Sequence, residues 1–266
     1  MVSPINWQRV HAITSRHYYV LRRSPQRWFD ILVWPAVDTV LFGSLGVYVS
    51  EASGSGAKGV GYLLAGILLF HVIFQSQVAV SVGFLEESWS RNLLNLMTTP
   101  LTELEYVAGV ALFGMAKLVF GVGVVALGCW AFFSFAITDV GWGLLPIMTV
   151  LLVVGWAISL FVIGLVLRYG PSADILAWGI LFVVMPLSGV FYPVDALPGS
   201  LQPVARVLPT THVFSAGREL LDGRPMPWGD VIYGGIMALM AVALGLTFVL
   251  HMLRVFRRRG YVTRFS

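Results

Sequence analysis

The chain has 266 residues, 58% of them hydrophobic and only 11% charged, with a mean hydropathy of +0.83; an ordinary soluble domain carries roughly 25% charged residues, so a membrane protein is the class that remains. The formal charge is +4, and the single cysteine, Cys129, excludes an intrachain disulfide and says nothing about redox compartment. A β-barrel would show alternating segments of about 10 residues, which are absent, whereas runs near the ~20 apolar residues that a helix needs to cross a core of about 30 Å recur along the chain.

Residues 1–27 read as an interfacial helix. Trp7, Val10, Ile13, His17 or Tyr18, and Leu21 recur at helical spacing, with Arg9, Arg16 and Arg23 on another face. No continuous apolar core precedes residue 28, so this segment is not expected to be a cleaved secretory signal. Pro25 stops the helix and the chain turns into the membrane. Six spans are expected over residues 28–253: Trp28 to Val49, Gly59 to Val82, Tyr106 to Ile137, Leu144 to Val166, Ile175 to Phe191 and Val231 to Leu253. Arg9, Arg16, Arg22, Arg23 and Arg27 precede the first, while Arg254, Arg257, Arg258, Arg259 and Arg264 lie in the basic tail, residues 254–266. Short loops rich in Lys and Arg stay in the cytoplasm, so both termini are expected inside, as an even number of spans requires. The same orientation puts the stretch FLEESWSRNLLNLMTTPL, Phe84 to Leu101, and the turn from Arg168 to Asp174 on the cytoplasmic side. Each basic cluster abuts a span, which marks orientation and gives no reason to expect nucleic acid as a partner. With no internal repeat or low-complexity tail, residues 1–266 read as one all-α membrane domain.

Membrane enzymes bring titratable groups together at one depth, and metal sites cluster their ligands. The five histidines, His11, His17, His71, His212 and His251, are scattered, and neither HExxH nor GxSxG occurs, so no catalytic residue and no metal ligand is expected. The stretch ASGSGAKG, residues 52–59, lacks the GxxxxGK[ST] spacing and a preceding strand, so ATP is not expected to bind there. Within the spans Asp38 lies ten positions beyond Trp28 and Lys117 eleven beyond Tyr106. That counting puts both about 15 Å from the inner edge, sheltered against protein, with direct pairing left open. His71 and Gln75, with Ser81, form a polar strip expected to hydrogen-bond between helices. Gly234 with Ala238, and Ala241 with Gly245, have the small-xxx-small spacing of close helix contact. Before the last span Pro193, Pro198, Pro203, Pro209, Pro225 and Pro227 forbid a continuous helix, yet Ser200 to Val207 and Thr211 to Leu221 are amphipathic. Two short helices dipping back toward the membrane are the expectation.

From Glu86 to Met97 the residues suit a cytoplasmic helix: two acids stand at its start, Leu93, Leu94 and Met97 recur at helical spacing, and Pro100 ends it. This segment running into LMTTPLTELEYVAG, the amphipathic N-terminal helix, the six spans and the late stretch SGVFYPVDALPGSLQPVARVLPTTHVFSAGREL together resemble an ABC-2 type transporter permease, the late stretch looking most like the nodulation-factor and daunorubicin exporter branch. The resemblance implies a permease for an amphipathic cargo such as a glycolipid, a lipid-linked glycan or a hydrophobic drug. It also implies a bacterial inner or plasma membrane location, a homodimer in the lipid bilayer, and two copies of a separate ABC ATPase subunit, which would hold the ATP and Mg. This chain itself would carry no cofactor. Glu86, Glu87, Trp89, Arg91, Asn92, Leu94 and Met97 would form the coupling helix on the ATPase; Tyr192, Pro193, Pro198, Pro209 and His212 would belong to an outer gate. Family members often follow the Thr-Pro-Leu segment with Gly-Lys, whereas this chain has Gly109-Val110, so no family role is carried over to Lys117. The alternative reading is a scaffold or sensor subunit that an ATPase partner regulates without cargo moving.

Overall fold

In a computed structural model, residues 5–54, 57–89, 99–170, 173 and 175–259 are described, and among them every regular element is helical. Helix α1, Trp7–Arg22, begins where the Asn6 side chain accepts from the Gln8 amide at 2.9 Å. Pro25 occupies the first turn of α2, Pro25–Ser53, where its missing N–H costs nothing. Helix α3 is Ala57–Trp89, and α4 is Glu103–Phe133. Thr102 and Glu105 close a reciprocal capping box that starts α4, and Ser134 in the left-handed region ends it. A 3₁₀ turn, Ile137–Val140, leads to α5, Leu144–Tyr169. Then come α6, Ile175–Leu187; α7, Gln202–Val207; α8, Pro209–Leu221; and α9, Trp228–Arg259.

Five of these, α2, α3, α4, α5 and α9, are long and apolar enough to cross a membrane. The fifth expected span falls short. Its apolar run, 175–191, becomes a 13-residue helix of about 20 Å. Pro186 in its last turn and Gly189 at φ +62 bend the chain away before the helix reaches span length. The two short amphipathic helices expected after it are present as α7 and α8, each with a proline in its first turn.

Paired contacts fix the helix directions. Along α3 and α4, Gly83 faces Val110, Ala79 faces Gly114 and Gln75 faces Gly121, so the two are antiparallel. Trp28 with Phe120, Thr39 with Gly128 and Gly43 with Phe133 make α2 and α4 parallel. On α5 and α9, Val150 meets Gly234, Leu160 meets Gly245 and Gly164 meets Phe248, again parallel. Trp178 beside Phe74, and Val190 beside Gly66, show α6 running against α3. Hence α2, α4 and α6 run one way and α3, α5 and α9 the other. The small residues expected in the last span do pack closely: Gly234 sits against Val213 and Pro209 of α8, Gly245 against Leu160 of α5, and Ala238 is fully buried.

Helix α3 is the central post. Its Ile67, Leu69, Val72 and Ile73 join Ile147, Leu151 and Val154 of α5 and Val213 and Phe214 of α8 in the largest apolar core. At the other end, Ile13 of α1 joins Phe84, Leu85, Val110 and Val166 in a second core. A Cβ on Gly155 would lie 1.8 Å from Ser76 Oγ and 2.8 Å from the Ile73 carbonyl oxygen, so only glycine lets α3 and α5 approach this closely.

Candidate functional site

The N-terminal helix is docked on protein. Val10, Ile13, His17 and Leu21 are buried, whereas Trp7 and Tyr18 of the expected stripe are exposed. A Cβ on Gly109 would come 2.7 Å from Ile13 Cβ, and the Thr14 hydroxyl donates to the Gly109 carbonyl at 3.0 Å, so the Gly109-Val110 departure is where α1 seats on α4. His17 stacks on Phe113 at 5.5 Å. Burial pushes its pKa down to about 4, with Glu87 opposing the shift and Arg16 and Arg27 adding to it, so the ring is uncharged near neutrality.

Three basic residues then reach carboxylates on both sides of residues 90–98. Arg16 Nη1 lies 2.7 Å from Glu87 Oε1, and Arg27 Nη2 lies 2.6 Å from Glu86 Oε1. Arg9 donates to the Pro100 carbonyl at 2.5 Å and stands 3.4 Å from Glu105 Oε2. Glu105 also accepts from the Asn6 amide at 2.9 Å and from the Thr102 amide at 2.9 Å. Glu87 and Glu105 are 3% and 1% exposed, and a carboxylate so far out of water needs donors of this kind. Of the expected coupling residues, Glu86 and Glu87 thus turn toward α1 and the start of α2. Arg91, Asn92, Leu94, Met97 and the Trp89 side chain lie outside the described residues. Sequence reasoning passed over Glu105, Asn6 and the partners of Arg9 and Arg16. The T-x-x-E spacing of Thr102 and Glu105 and the seven-residue arginine repeat were the available signals.

A cavity of about 60 Å³ behind this junction is lined by His17, Arg27, Glu86, Phe113, Lys117 and Trp178 among others. Asp38 and Lys117 do not share a depth. Asp38 faces His71 of α3, with Asp38 Oδ2 3.3 Å from His71 Nε2 but poorly aligned for a hydrogen bond. Lys117 lines the cavity beside Val78, Ala79 and Glu86, seven or more residues further along α3, a separation of about 10 Å. Counting from Trp28 and Tyr106 failed because Trp28 lies level with Phe120: the first turns of α4 run beside α1 before α2 has begun. Of the polar strip, His71, Gln75 and Ser81 are at most 2% exposed. The cross-helix hydrogen bond comes instead from Ser159 of α5 to the Gln77 carbonyl, at 2.8 Å.

At the opposite end the segment between α6 and α9 is tied down repeatedly. The Tyr192 hydroxyl donates to the Pro186 carbonyl at 2.9 Å; Pro193 precedes a 3₁₀ turn, Val194–Ala196, and Pro209 opens α8. Pro198 is exposed in the connection to α7. His212 is the node: Nδ1 is 2.8 Å from Asp230 Oδ1, Nε2 is 3.0 Å from the Arg206 carbonyl, and the ring lies 4.5 Å from that of Tyr233. Arg218 donates to the Gly189 carbonyl, linking α8 to the end of α6, and Tyr62 donates to Asp222. Among the described residues no group of three or more His, Cys, Asp or Glu could hold a metal ion.

A family model described as "ABC-2 type transporter" matches residues 8–221. The chain is also similar to "Inner membrane transport permease YadH" of Escherichia coli (strain K12), at 23% identity over 216 residues, 80% of this chain and 82% of that protein. The protein of the same name from Shigella flexneri is similar to the same extent.

Proposed function

Because the chain belongs to the ABC-2 type transporter family, we propose that it is the permease of an ATP-driven exporter, coupled to a separate ATPase through the segment joining α3 to α4. The chain is a multi-pass inner-membrane transporter subunit. Coupling through that segment is supported by one set of contacts. Arg16, Arg27 and Arg9 clamp Glu87, Glu86 and Glu105 on both flanks of residues 90–98. A push on that segment therefore reaches α1, α3 and α4 together, which is what a lever between nucleotide state and helix arrangement needs.

The alternating helix directions support six passages, with α6 and the chain after it forming the fifth, and both ends on the side where α1 lies. Arginine bias assigns that side to the cytoplasm. Helices α7 and α8, held by His212 and Arg218, act as the outer gate. Two copies of the chain work with two ATPase chains, which supply ATP and Mg, on an amphipathic cargo.

The test uses tagged full-length chain purified from native membranes. An ATPase subunit should co-purify, and charge reversal at Glu87 with Arg91, or Leu94→Asp alone, should lower that yield or the ATPase activity several-fold while the spans stay folded. Normal yield and activity in both variants would refute the docking role.

A further inference from the structure

Where α1 meets α2 and α4 it leaves a groove of about 380 Å³, walled by Tyr18, Tyr19, Trp28, Phe113 and Phe120 with Lys117 among them. Tyr18, Tyr19 and Phe120 are 55%, 59% and 46% exposed, so the groove opens toward whatever surrounds the bundle. Its depth is that of a lipid headgroup. Trp28 stands in the first turn of α2 and meets Phe120 edge-on at 5.7 Å. Because α4 runs the same way as α2, Lys117, three residues before Phe120, is about 5 Å nearer the end where α1 lies. At that level α2 enters the hydrocarbon, and Trp and Tyr are the residues that favour it.

The charge around the groove has one sign. Arg9, Arg16, Arg22, Arg23 and Arg27 all precede the first acid of the chain, Asp30. Arg16 and Arg23 line a shallow depression on α1 that shares Ser15 and Tyr19 with the groove. Arg16 is held by Glu87, whereas Arg23 is exposed and makes no ion pair among the described residues. On its inner wall the groove shares Leu21, Phe113 and Lys117 with the cavity of about 60 Å³, where Arg27 and Lys117 stand with one carboxylate, Glu86. His17 Nε2, on the wall of that cavity, is buried with no hydrogen-bond partner among the described residues. An oxyanion at Lys117, or a water that it carries, would have a further donor to meet there.

We infer that this groove binds one anionic phospholipid of the leaflet in which α1 lies, with its phosphate on Lys117, an acyl chain along the rings, and the arginines of α1 adding to the local field. Basic pockets between spans take anionic headgroups, and each nearby Lys or Arg strengthens the attraction several-fold. The rings cover an acyl chain without asking it for hydrogen bonds. A choline headgroup would suit the rings alone, but Lys117 in their midst repels its charge. Such a lipid stays with the chain as a fixed ligand, apart from any cargo. Only the assignment of its leaflet to the cytoplasmic side rests on the orientation proposed above.

The test is native mass spectrometry of the full chain, released from detergent micelles after incubation with equal amounts of phosphatidylglycerol and phosphatidylcholine. Both lipids carry the same acyl chains, the second deuterated so that the masses separate. One phosphatidylglycerol per chain should be retained, in roughly five- to tenfold preference over phosphatidylcholine. Lys117→Gln should lower that retention roughly fivefold and Lys117→Arg should keep it. Ala116→Trp, at an exposed position on the groove wall, fills the groove with every charge in place and should lower retention to the same extent. Arg254→Gln, on an exposed arginine of α9, serves as the unchanged control. Equal retention of the two lipids by the wild type overturns the inference, and so does undiminished phosphatidylglycerol on folded Lys117→Gln or on Ala116→Trp. If Lys117→Gln does not fold, the wild-type preference and Ala116→Trp decide. An Ala116→Trp spectrum that loses dimer mass and keeps its lipid assigns the groove to a second copy of the chain and overturns the inference as well. The two readings fail separately. Lys117-dependent retention in a chain that recruits no ATPase leaves the lipid site and removes the exporter, while normal recruitment without such retention does the reverse.

Discussion

Replacing Arg16 with Gln takes away the guanidinium 2.7 Å from Glu87, a carboxylate that is 3% exposed. Breaking a buried pair by removing one partner costs about 3–5 kcal/mol, but the Arg16 side chain is 38% exposed, so water reaches one side of this pair and the lower figure of about 2 kcal/mol applies. The penalty falls on the docking of α1. At tenfold per ~1.4 kcal/mol it becomes a roughly 30-fold rise in the open population of that helix. Amide hydrogen exchange of residues 10–21 in nanodiscs reads this directly, and exchange in α5 and α9 should not change. Glu87→Gln should cost about 1 kcal/mol, since it removes the charge that needed a partner, and the double variant should cost little more than Glu87→Gln alone. A coupling energy of about 2 kcal/mol follows. Single effects that add to within about 0.5 kcal/mol, or Arg16→Gln that leaves α1 exchange unchanged, would refute the clamp.

Other expectations can be checked with the same preparations. Gly109→Val drives a side chain into Ile13 and should displace α1, lowering ATPase stimulation several-fold while the thermal melt of the spans is kept. Gly155→Ala should cost about 3 kcal/mol in the melt, and adding Ser76→Ala should not restore it, because the Ile73 carbonyl oxygen would still be 2.8 Å from the new Cβ. His17 has a native pKa near 4, below the ordinary 6.5, so its docked form is favoured in the neutral state. That contribution, about 3 kcal/mol, is full above pH 6.5 and is lost as pH falls from there toward 4. Exchange in α1 should therefore accelerate across that window, and His17→Phe should abolish the acceleration.

Much of the helical framework was legible because prolines, glycines and apolar period mark it locally. Pro25 separated α1 from α2, and the prolines at 203 and 209 announced α7 and α8. The run from 175 to 191 misled because hydropathy counts Pro186 and Gly189 as acceptable company for Leu and Val, whereas the backbone does not. The burial of Val10, Ile13 and Leu21 was readable from spacing, but spacing cannot tell lipid from a neighbouring helix as the cover, and Gly109 is what decides it. Depth was the least legible property. Residue counting assumes a common starting plane, and the offset of α4 against α2 removed Lys117 from the level of Asp38. Of the intramembrane candidates, His71 and Asp38 met across two helices, a partnership that no local pattern encodes.

The shortness of α6 bears on the bilayer as well as on the protein. Its outward residues Ile175, Phe182 and Val183 are 71%, 73% and 58% exposed, so wherever lipid meets this helix it finds about 20 Å of apolar height beside neighbours of 26 to 33 residues. Beyond it the chain bends away at Gly189 and, past Val194, turns polar, with Asp195 and Arg206 paired and open to water. Where lipid rather than a second chain covers this helix, a hydrophobic mismatch of about 10 Å is met by local thinning at fractions of a kcal/mol per Å, which draws headgroups inward at this corner. An amphipathic molecule moving between leaflets there would have a shorter stretch of hydrocarbon to cross than anywhere else around the bundle.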